Sequence, residues 1–363
     1  MSVQFIGMIG HQRASETIAP SGPIFDKAYI ARFAQAHEQA GFDRILVGYW
    51  SNQPDGFLVT ALAGLSTSRI QFLLAHRPGF VAPTLAARKL ATLDHLLDGR
   101  LALHVISGGS DVEQRKDGDY LDHDQRYART EEFLDVLKRV WTSEQPFDHA
   151  GALYRAEGAG SAIKPLQQPH IPVYFGGASP AALQVAGKHA DVYALWGESL
   201  EQVRETVAKV RAEAARHGRE VAFSVSFRPI VAATEEQAWA KAQTILEQAR
   251  QRLSASGAAH PHKPDSVGAQ RLRELAERGE RIDSRLWTGI SKLVGGAYNS
   301  TALVGTPEQV ADALLEYYDL GIRSFLIRGF DPLQDAIDYG RELIPLTRAK
   351  VAQREAAATR QYA

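Results

Sequence analysis

Cysteine is absent from the 363-residue sequence, which excludes disulfides, thiolate metal sites and cysteine nucleophiles. An excess of either charge is also absent: 41 Lys and Arg residues stand against 42 Asp and Glu residues, so no overall field attracts nucleic acid or an acidic membrane. No window approaches the ~18 apolar residues of a membrane span, and the first residues lack the basic and apolar segments of a signal peptide. We therefore predict a soluble cytoplasmic enzyme that binds neither nucleic acid nor membranes.

Short β-branched or aromatic runs alternate with amphipathic helical segments along almost the whole chain. Most runs are continuously apolar, which is typical of parallel strands covered on both faces. Eight such strands favour one closed (β/α)8 TIM-like barrel of the α/β class, a single domain over residues 1–363. A long loop, rather than a glycine-rich turn, follows the first strand and disfavours a doubly wound fold. The predicted strands are Val3–Ile9, Arg44–Val47, Ile70–Ala75, Arg100–Ile106, Pro172–Phe175, Val192–Leu195, Val221–Val231 and Ser324–Ile327.

Two stretches exceed what a barrel needs. Residues 143–171 predict a small β excursion before the fifth strand, and residues 234–300 form a longer insertion after the seventh. Because loops after barrel strands build active sites, the insertion is either a lid over the substrate or a surface decoration or oligomer contact. The tail, residues 349–363, is interpreted as a fraying or interface helix.

A glycine turn after the fifth strand predicts an anion site. The turn contains Gly176, Gly177 and Ala178, followed by Ser179 as helix N-cap and Pro180 at the first helical position. Glycines admit a close ligand, and the exposed N–H groups with the helix dipole favour a phosphate. The alternative is a helix cap with no ligand.

Polar and aromatic residues follow other predicted strands at the same rim. Ser107 precedes two glycines that would let a planar group approach the backbone, while His123 and Tyr127 are spaced to share one helix face. Neither a metal site nor a Ser-His-Asp hydrolase is predicted, because no ligand set and no G-x-S-x-G turn occur. The remaining rim residues are His11, Asn52, His76, Arg77 and Trp196.

Several segments, taken together and in order, resemble the alkanesulfonate monooxygenases, which belong to the bacterial luciferase-like flavin monooxygenases. The similarity spans nearly the whole chain, including the insertion after the seventh strand. The segments are Phe72–Arg88, Ala91–Asp94, Asp117–Tyr127, Pro172–Ser179, Asp191–Glu198, Leu286–Trp287 and Thr301–Gly305.

The resemblance implies an enzyme that receives reduced FMN (FMNH2) from a separate NAD(P)H:FMN reductase. Such an enzyme uses O2 to cleave the C–S bond of a sulfonate, releasing sulfite and an aldehyde, and it forms a homodimer or homotetramer. His11 matches the family's active-site histidine, for proton handling or for positioning the oxygen species. The cofactor-binding residues it implies are His76, Ser107, His123 and Tyr127, together with Gly176, Gly177, Ala178 and Ser179 at the 5′-phosphate.

The substrate side departs from the family pattern. Gln53 stands where the family has a cysteine, Ser226 and Arg228 replace an Arg and a His, Phe330 replaces a Tyr, and the lid arginine is missing, although Lys292 lies close by. A buried sulfonate needs a cation, and a guanidinium can hold two of its oxygens, so Arg228 is the leading anion ligand.

Other predicted substrate contacts combine cations, indole rings and amides, which suits a hydroxylated, sugar-like sulfonate such as sulfoquinovose. Two alternatives remain: a luciferase-like enzyme for an alkane, sulfone or amine, and a non-catalytic flavin-binding homologue. For the predicted substrate contacts themselves, the alternative is that these polar residues lie in loops and face solvent. The additional contacts are Trp50, Asn52, Gln53, Trp196, Lys292 and Arg328.

Overall fold

A closed barrel of eight parallel strands forms the centre of the fold, in the order β1-β14-β9-β8-β7-β4-β3-β2. The computed structural model describes residues 3–255 and 266–361. The predicted (β/α)8 barrel is confirmed. The strands are β1 (Gln4–Ile9), β2 (Arg44–Val47), β3 (Gln71–His76), β4 (Leu101–Val105), β5 (Phe147–Ala150), β6 (Arg155–Ala159), β7 (Val173–Phe175), β8 (Val192–Trp196), β9 (Ala222–Phe227), β10 (Ile230–Val231), β11 (Arg281–Ile282), β12 (Leu286–Trp287), β13 (Ala302–Gly305) and β14 (Ile322–Ile327).

Helices follow the barrel strands and cover the outer faces of apolar strands. The helices are α1 (Lys27–Gln39), α2 (Gly56–Leu65), α3 (Pro83–Leu96), α4 (Asp111–Lys116), α5 (His123–Thr142), α6 (Pro180–His189), α7 (Leu200–Arg216), α8 (Glu235–Ala255), α9 (Val267–Arg278), α10 (Gly289–Leu293), α11 (Pro307–Asp319), α12 (Pro332–Asp338) and α13 (Ile344–Gln361). A π-helical turn, Tyr339–Leu343, joins the last two.

The predicted extent of the seventh strand, Val221–Val231, was wrong. The structure divides it into β9 in the barrel and β10 in a separate four-stranded sheet with β11, β12 and β13. Pro229 lies between the two strands, and because proline has no N–H group it cannot continue a central ladder.

The excursion and the insertion carry secondary structure of their own. In the excursion, β5 and β6 form an antiparallel pair, as the sequence predicts. In the insertion, α8 packs against a core that includes the fully buried Trp287 and Ile290. Residues 256–265, which include Gly257–Pro264 of the insertion, lie outside the described residues.

The last helix begins before the predicted tail. α13 starts at Ile344, and within it Val351 is buried while Arg348 forms an ion pair with Asp43 at 2.7 Å. Residues 349–361 therefore continue α13, and most of the described side chains from 349 to 359 are exposed, so the fraying or interface helix stays a prediction.

Contacts divide the chain into two compact units. The first unit comprises the described residues within Met1–Ile45, Ala194–Ala208 and Ala222–Ala363; the second comprises Leu46–Tyr193 and Lys209–Val221. Among the described helices of either unit, none is both long and apolar enough to cross a membrane.

Candidate active site

The glycine turn after β7 has a shape that only glycine can supply. Gly177 has a φ of +150°, and a Cβ built there would lie 2.7 Å from both the Tyr127 hydroxyl and the Ala182 Cβ. Ser179 caps α6 by accepting a hydrogen bond from the Ala182 N–H at 3.2 Å, and Pro180 occupies the first turn. The turn therefore brings backbone, a buried hydroxyl and a helix N-terminus together.

The start of α5 contributes two more of the predicted cofactor residues. The rings of His123 and Tyr127 lie 4.9 Å apart, which confirms that they share one helix face. Tyr127 is hydrogen-bonded to Ser179; burial raises the pKa of Tyr127, and this hydrogen bond partly opposes the rise. The second unit thus joins Gly177, Ser179, Tyr127 and His123 in one cluster, which we call the phosphate cradle.

Ser107 follows β4 in the same unit. Its hydroxyl lies 2.9 Å from that of Thr130 on α5, and both residues are buried. Gly108 has a φ of +93° and contacts Gln114, so a side chain there would collide with it. The turn therefore fixes Ser107 at the end of its strand.

His76 faces the helices. Its ring lies 5.8 Å from that of Phe57 on α2 and 5.5 Å from that of Phe133 on α5. Neither ring nitrogen has a hydrogen-bond partner among the described residues, and burial, followed by the charge of Lys89, lowers the pKa of His76 to about 4. His76 is therefore a neutral ring packed among aromatic side chains, and the structure does not join it to the phosphate cradle.

His104 is a residue that the sequence analysis missed. It stands on β4 in register with Ala75 on β3 and Tyr174 on β7, on the strand face opposite to that of His76. Burial lowers the pKa of His104 to about 4, so the ring is neutral, and its Nδ1 has no partner among the described residues. The available signal was a single ionisable residue within an otherwise apolar strand.

The loop after β2 holds the predicted Trp50, Asn52 and Gln53. Trp50 packs on the backbone of Gly48, whereas Asn52 and Gln53 are exposed. Beside this loop, the buried Arg77 forms a 2.7 Å ion pair with Glu113, whose carboxylate also accepts the Ser51 N–H at 3.1 Å. The loop is thus fixed to α4 by a carboxylate that the sequence analysis did not single out.

Arg228 lies in a bidentate ion pair of the first unit. Its two terminal nitrogens donate to the two carboxylate oxygens of Glu16 at 2.7 and 2.8 Å, and one also donates to the Gly329 carbonyl at 3.0 Å. The guanidinium lies 3.6 Å from the centre of the Phe330 ring. The sequence indicates Arg228 but carries no signal for Glu16, because the pair joins residues 212 positions apart.

Arg328, also predicted, shares the same carboxylate. Its Nη2 donates to Glu16 at 3.1 Å, and its Nη1 lies 3.7 Å from the Met8 sulfur. Burial raises the pKa of Glu16, but Arg228 and then Arg328 outweigh this and hold it well below its usual range. We call Glu16, Arg228 and Arg328 the arginine triad.

The other predicted residues of the first unit are less enclosed. The Nδ1 atom of His11 faces the Ile24 carbonyl oxygen at short range. Trp196, at the end of β8, contacts Gly268 at the start of α9, whereas Lys292 on α10 is exposed. His11, Trp196 and Lys292 therefore lie in the same compact unit as the arginine triad.

Comparison with known proteins identifies the family. Residues 3–324 match the luciferase-like monooxygenase family. The chain belongs to this family. One similar solved structure is riboflavin lyase RcaE with modified FMN and riboflavin, which is 22% identical over 96% of this chain and 92% of that one, with a TM-score of 0.79. Another is EDTA monooxygenase EmoA from Chelativorans sp. BNC1, which is 20% identical over 96% of this chain and 94% of that one, with a TM-score of 0.76. DmoA from Hyphomicrobium sulfonivorans is 21% identical over 96% of this chain and 88% of that one, with a TM-score of 0.75. At these identities the likeness shows the shared fold.

The residues of this luciferase-like monooxygenase fit a flavin phosphate. A Cβ at Gly177 would fill the phosphate cradle, and the N-terminus of the ten-residue α6 opens into the same turn. By contrast, no group of three potential ligands that could hold a metal ion occurs within residues 3–255 and 266–361.

Proposed function

We propose that the protein is a two-component monooxygenase that uses FMNH2, supplied by a separate NAD(P)H:FMN reductase, and O2 to cleave the C–S bond of an organosulfonate. One oxygen atom enters the aldehyde, the other leaves as water, and sulfite departs while FMNH2 is oxidised to FMN. The observation that carries this proposal is the pairing of an intact phosphate cradle with an arginine triad in one luciferase-like chain.

The second unit would hold the cofactor. The cradle residues Gly177 and Ser179, with the adjacent Gly176 and Ala178, would bind the 5′-phosphate, while Tyr127 and His123 line the same turn. Ser107 would meet the isoalloxazine, and His76 would support the site through packing. When bound, the reduced flavin supplies the two electrons that activate O2.

The first unit would hold the sulfonate. The arginine triad supplies buried positive charge, which a desolvated anion requires. Trp196 and the exposed Lys292 would add a stacking face and a second cation. Trp50, Asn52 and Gln53 are proposed contacts for the hydroxyl groups of a substrate, which favours a sugar sulfonate such as sulfoquinovose.

His11 is the proposed catalytic group for proton handling. Because its Nδ1 faces a carbonyl oxygen, which can only accept, the ring proton belongs on Nδ1. The Nε2 atom then carries a lone pair that can take a proton from the substrate carbon.

Sulfite release tests the proposed function. Protein supplied with FMN, a flavin reductase, NADH and O2 is expected to release sulfite from at least one member of a sulfonate panel that includes sulfoquinovose. The His11→Gln variant, which keeps a polar side chain but loses the basic nitrogen, is expected to release it at least ~100-fold more slowly, within the range for general-base loss. Flavin binding by both proteins serves as the control, and an absence of sulfite across the panel from flavin-binding protein would refute the C–S cleavage.

We also propose that the protein is a homodimer that pairs through α2. This helix contains no charged residue, and its outer face exposes Leu58 and Leu65 at 68% and 66%. A twofold axis places a patch against its own copy, so a patch without charge avoids like-charge repulsion there.

The solution mass tests the dimer. The double variant Leu58→Glu/Leu65→Glu is expected to convert the dimer to a monomer in light scattering after size exclusion. Leu153→Glu changes an exposed leucine on the β5–β6 hairpin and should leave the mass unchanged. A wild-type monomer, or a double variant that stays dimeric, would contradict pairing through α2.

A further inference from the structure

Charge in the arginine triad is partly cancelled inside the protein. Two guanidinium groups, those of Arg228 and Arg328, share the one carboxylate of Glu16, at distances of 2.7 to 3.1 Å. Each arginine carries one positive charge, so the triad retains a single net positive charge. No other carboxylate pairs with either arginine among the described residues.

Arg228 has little capacity left for a ligand. Its side chain is 1% exposed, both terminal nitrogens are already bonded, and its flat face is covered by Phe330. A substrate anion could reach it only by displacing Glu16, and that would leave a carboxylate without its bidentate partner. Arg228 is thus a positioning residue that holds Glu16.

Arg328 has an available edge. Its side chain is 24% exposed, and its Nη1 meets only the weak acceptor sulfur of Met8 at 3.7 Å. Its Nε, like that of Arg228, is buried without a hydrogen-bond partner among the described residues, so the accessible edge is the Nη1 side. Burial, followed by the neighbouring Arg228, lowers the pKa of Arg328 to about 10, so the group stays charged at neutral pH. The uncancelled positive charge of the triad therefore lies on the group that a ligand can reach.

We propose that the arginine triad selects a singly charged tetrahedral anion over a doubly charged one, with Arg328 as the ligand and Glu16 as the residue that sets the charge. This inference rests on the proposed function and names the charge class of its substrate. A sulfonate carries one negative charge at every physiological pH, whereas a phosphoryl group carries about 1.5 to 2 at pH 7. The second charge would face the Glu16 carboxylate without a partner, which disfavours binding.

Anion binding to the FMN-loaded protein tests the selectivity. Methanesulfonate and methylphosphonate, which differ in charge at pH 8.5 but little in shape, are titrated by calorimetry. Wild-type protein is expected to bind the sulfonate at least ~10-fold more tightly. Glu16→Gln, which keeps an oxygen acceptor for Arg228 but removes the negative charge, is expected to shift the ratio of the two affinities by at least ~10-fold toward the phosphonate.

Two further variants separate charge from structure. Glu16→Asp keeps the charge and should keep the wild-type preference, while Arg328→Gln removes the available cation and should abolish sulfonate binding. Asp331→Asn removes a nearby surface carboxylate that pairs with Arg13 at 2.9 Å and should change neither affinity.

Three results would overturn the inference: wild-type protein that binds the phosphonate as tightly as the sulfonate, a Glu16→Gln variant with the wild-type ratio, or an Arg328→Gln variant that binds the sulfonate normally. Binding requires no turnover, so this test is separate from sulfite release. Anion selectivity without sulfite release would refute the proposed C–S cleavage alone, and sulfite release without the selectivity would refute the role of Glu16 alone.

Discussion

Replacement of Gly177 by alanine is expected to weaken FMN binding by at least ~100-fold, a free-energy loss of about 3 kcal/mol. The added Cβ would lie 2.7 Å from the Tyr127 hydroxyl and from the Ala182 Cβ, and the φ of +150° is one that side chains rarely adopt. Tyr127 belongs to the phosphate cradle, and Ala182 lies in the first turn of α6, which opens into it. The turn, the tyrosine or the first turn of α6 must therefore move, and each movement displaces groups proposed to meet the phosphate.

Quenching of FMN fluorescence on titration measures this affinity. Gly118→Ala is the matched control, because Gly118 also has a positive φ, +85°, but a Cβ there meets nothing within 4 Å. It imposes backbone strain in the same unit without filling the cradle, so its FMN affinity should stay within about twofold of wild type. A Gly177→Ala variant that binds FMN normally would contradict the assignment of the cradle.

The barrel and the turn after β7 could be predicted because their signals are local. The barrel strands are three to six residues long and mostly apolar, and the Gly-Gly-Ala-Ser-Pro order encodes a turn and a helix cap within one short segment. The four-residue spacing of His123 and Tyr127 is equally local. In contrast, the sequence of α2 has no polar face and hence no amphipathic period from which its helix could be predicted.

Features set by distant residues could not be predicted. The orientation of His76 depends on strand register, since one residue along a strand reverses the face that a side chain occupies. The sequence predicts Arg228 as a cation available to substrate, but in the structure Arg228 is paired with a carboxylate from the loop after β1. No spacing rule relates a loop glutamate to an arginine 212 residues later, so only the folded chain reveals that Arg328 keeps the accessible charge.

Loss of Glu16 is expected to cost the protein about 3 to 5 kcal/mol of its free energy of unfolding, the range for removing one partner of a buried ion pair. In Glu16→Met, the 1%-exposed Arg228 guanidinium loses both carboxylate bonds and still faces the charge of Arg328. Urea denaturation measures the loss. The double variant Glu16→Met/Arg228→Met should recover most of the lost free energy of unfolding, because it leaves no unpaired charge at position 228. The control Arg13→Met breaks an exposed ion pair with Asp331 and should cost less than about 1 kcal/mol.

The difference in free energy of unfolding between wild type and Glu16→Met should depend on pH if Glu16 acts through ion pairing, and should not if it acts through packing. Because the arginines hold the pKa of Glu16 below the unfolded value of 4.5, its charge stabilises the folded state fully above that value. The stabilisation is lost as the pH falls toward the folded pKa, when the carboxyl group takes up a proton. The difference in free energy of unfolding between wild type and Glu16→Met should therefore be constant from pH 6 to 8 and narrow below pH 4.5. The difference between Glu16→Met and Glu16→Met/Arg228→Met, neither of which carries Glu16, should not narrow there. A gap independent of acid pH, or a double variant as unstable as Glu16→Met, would show that Glu16 contributes through packing, and the single net charge assigned to the triad would lose its basis.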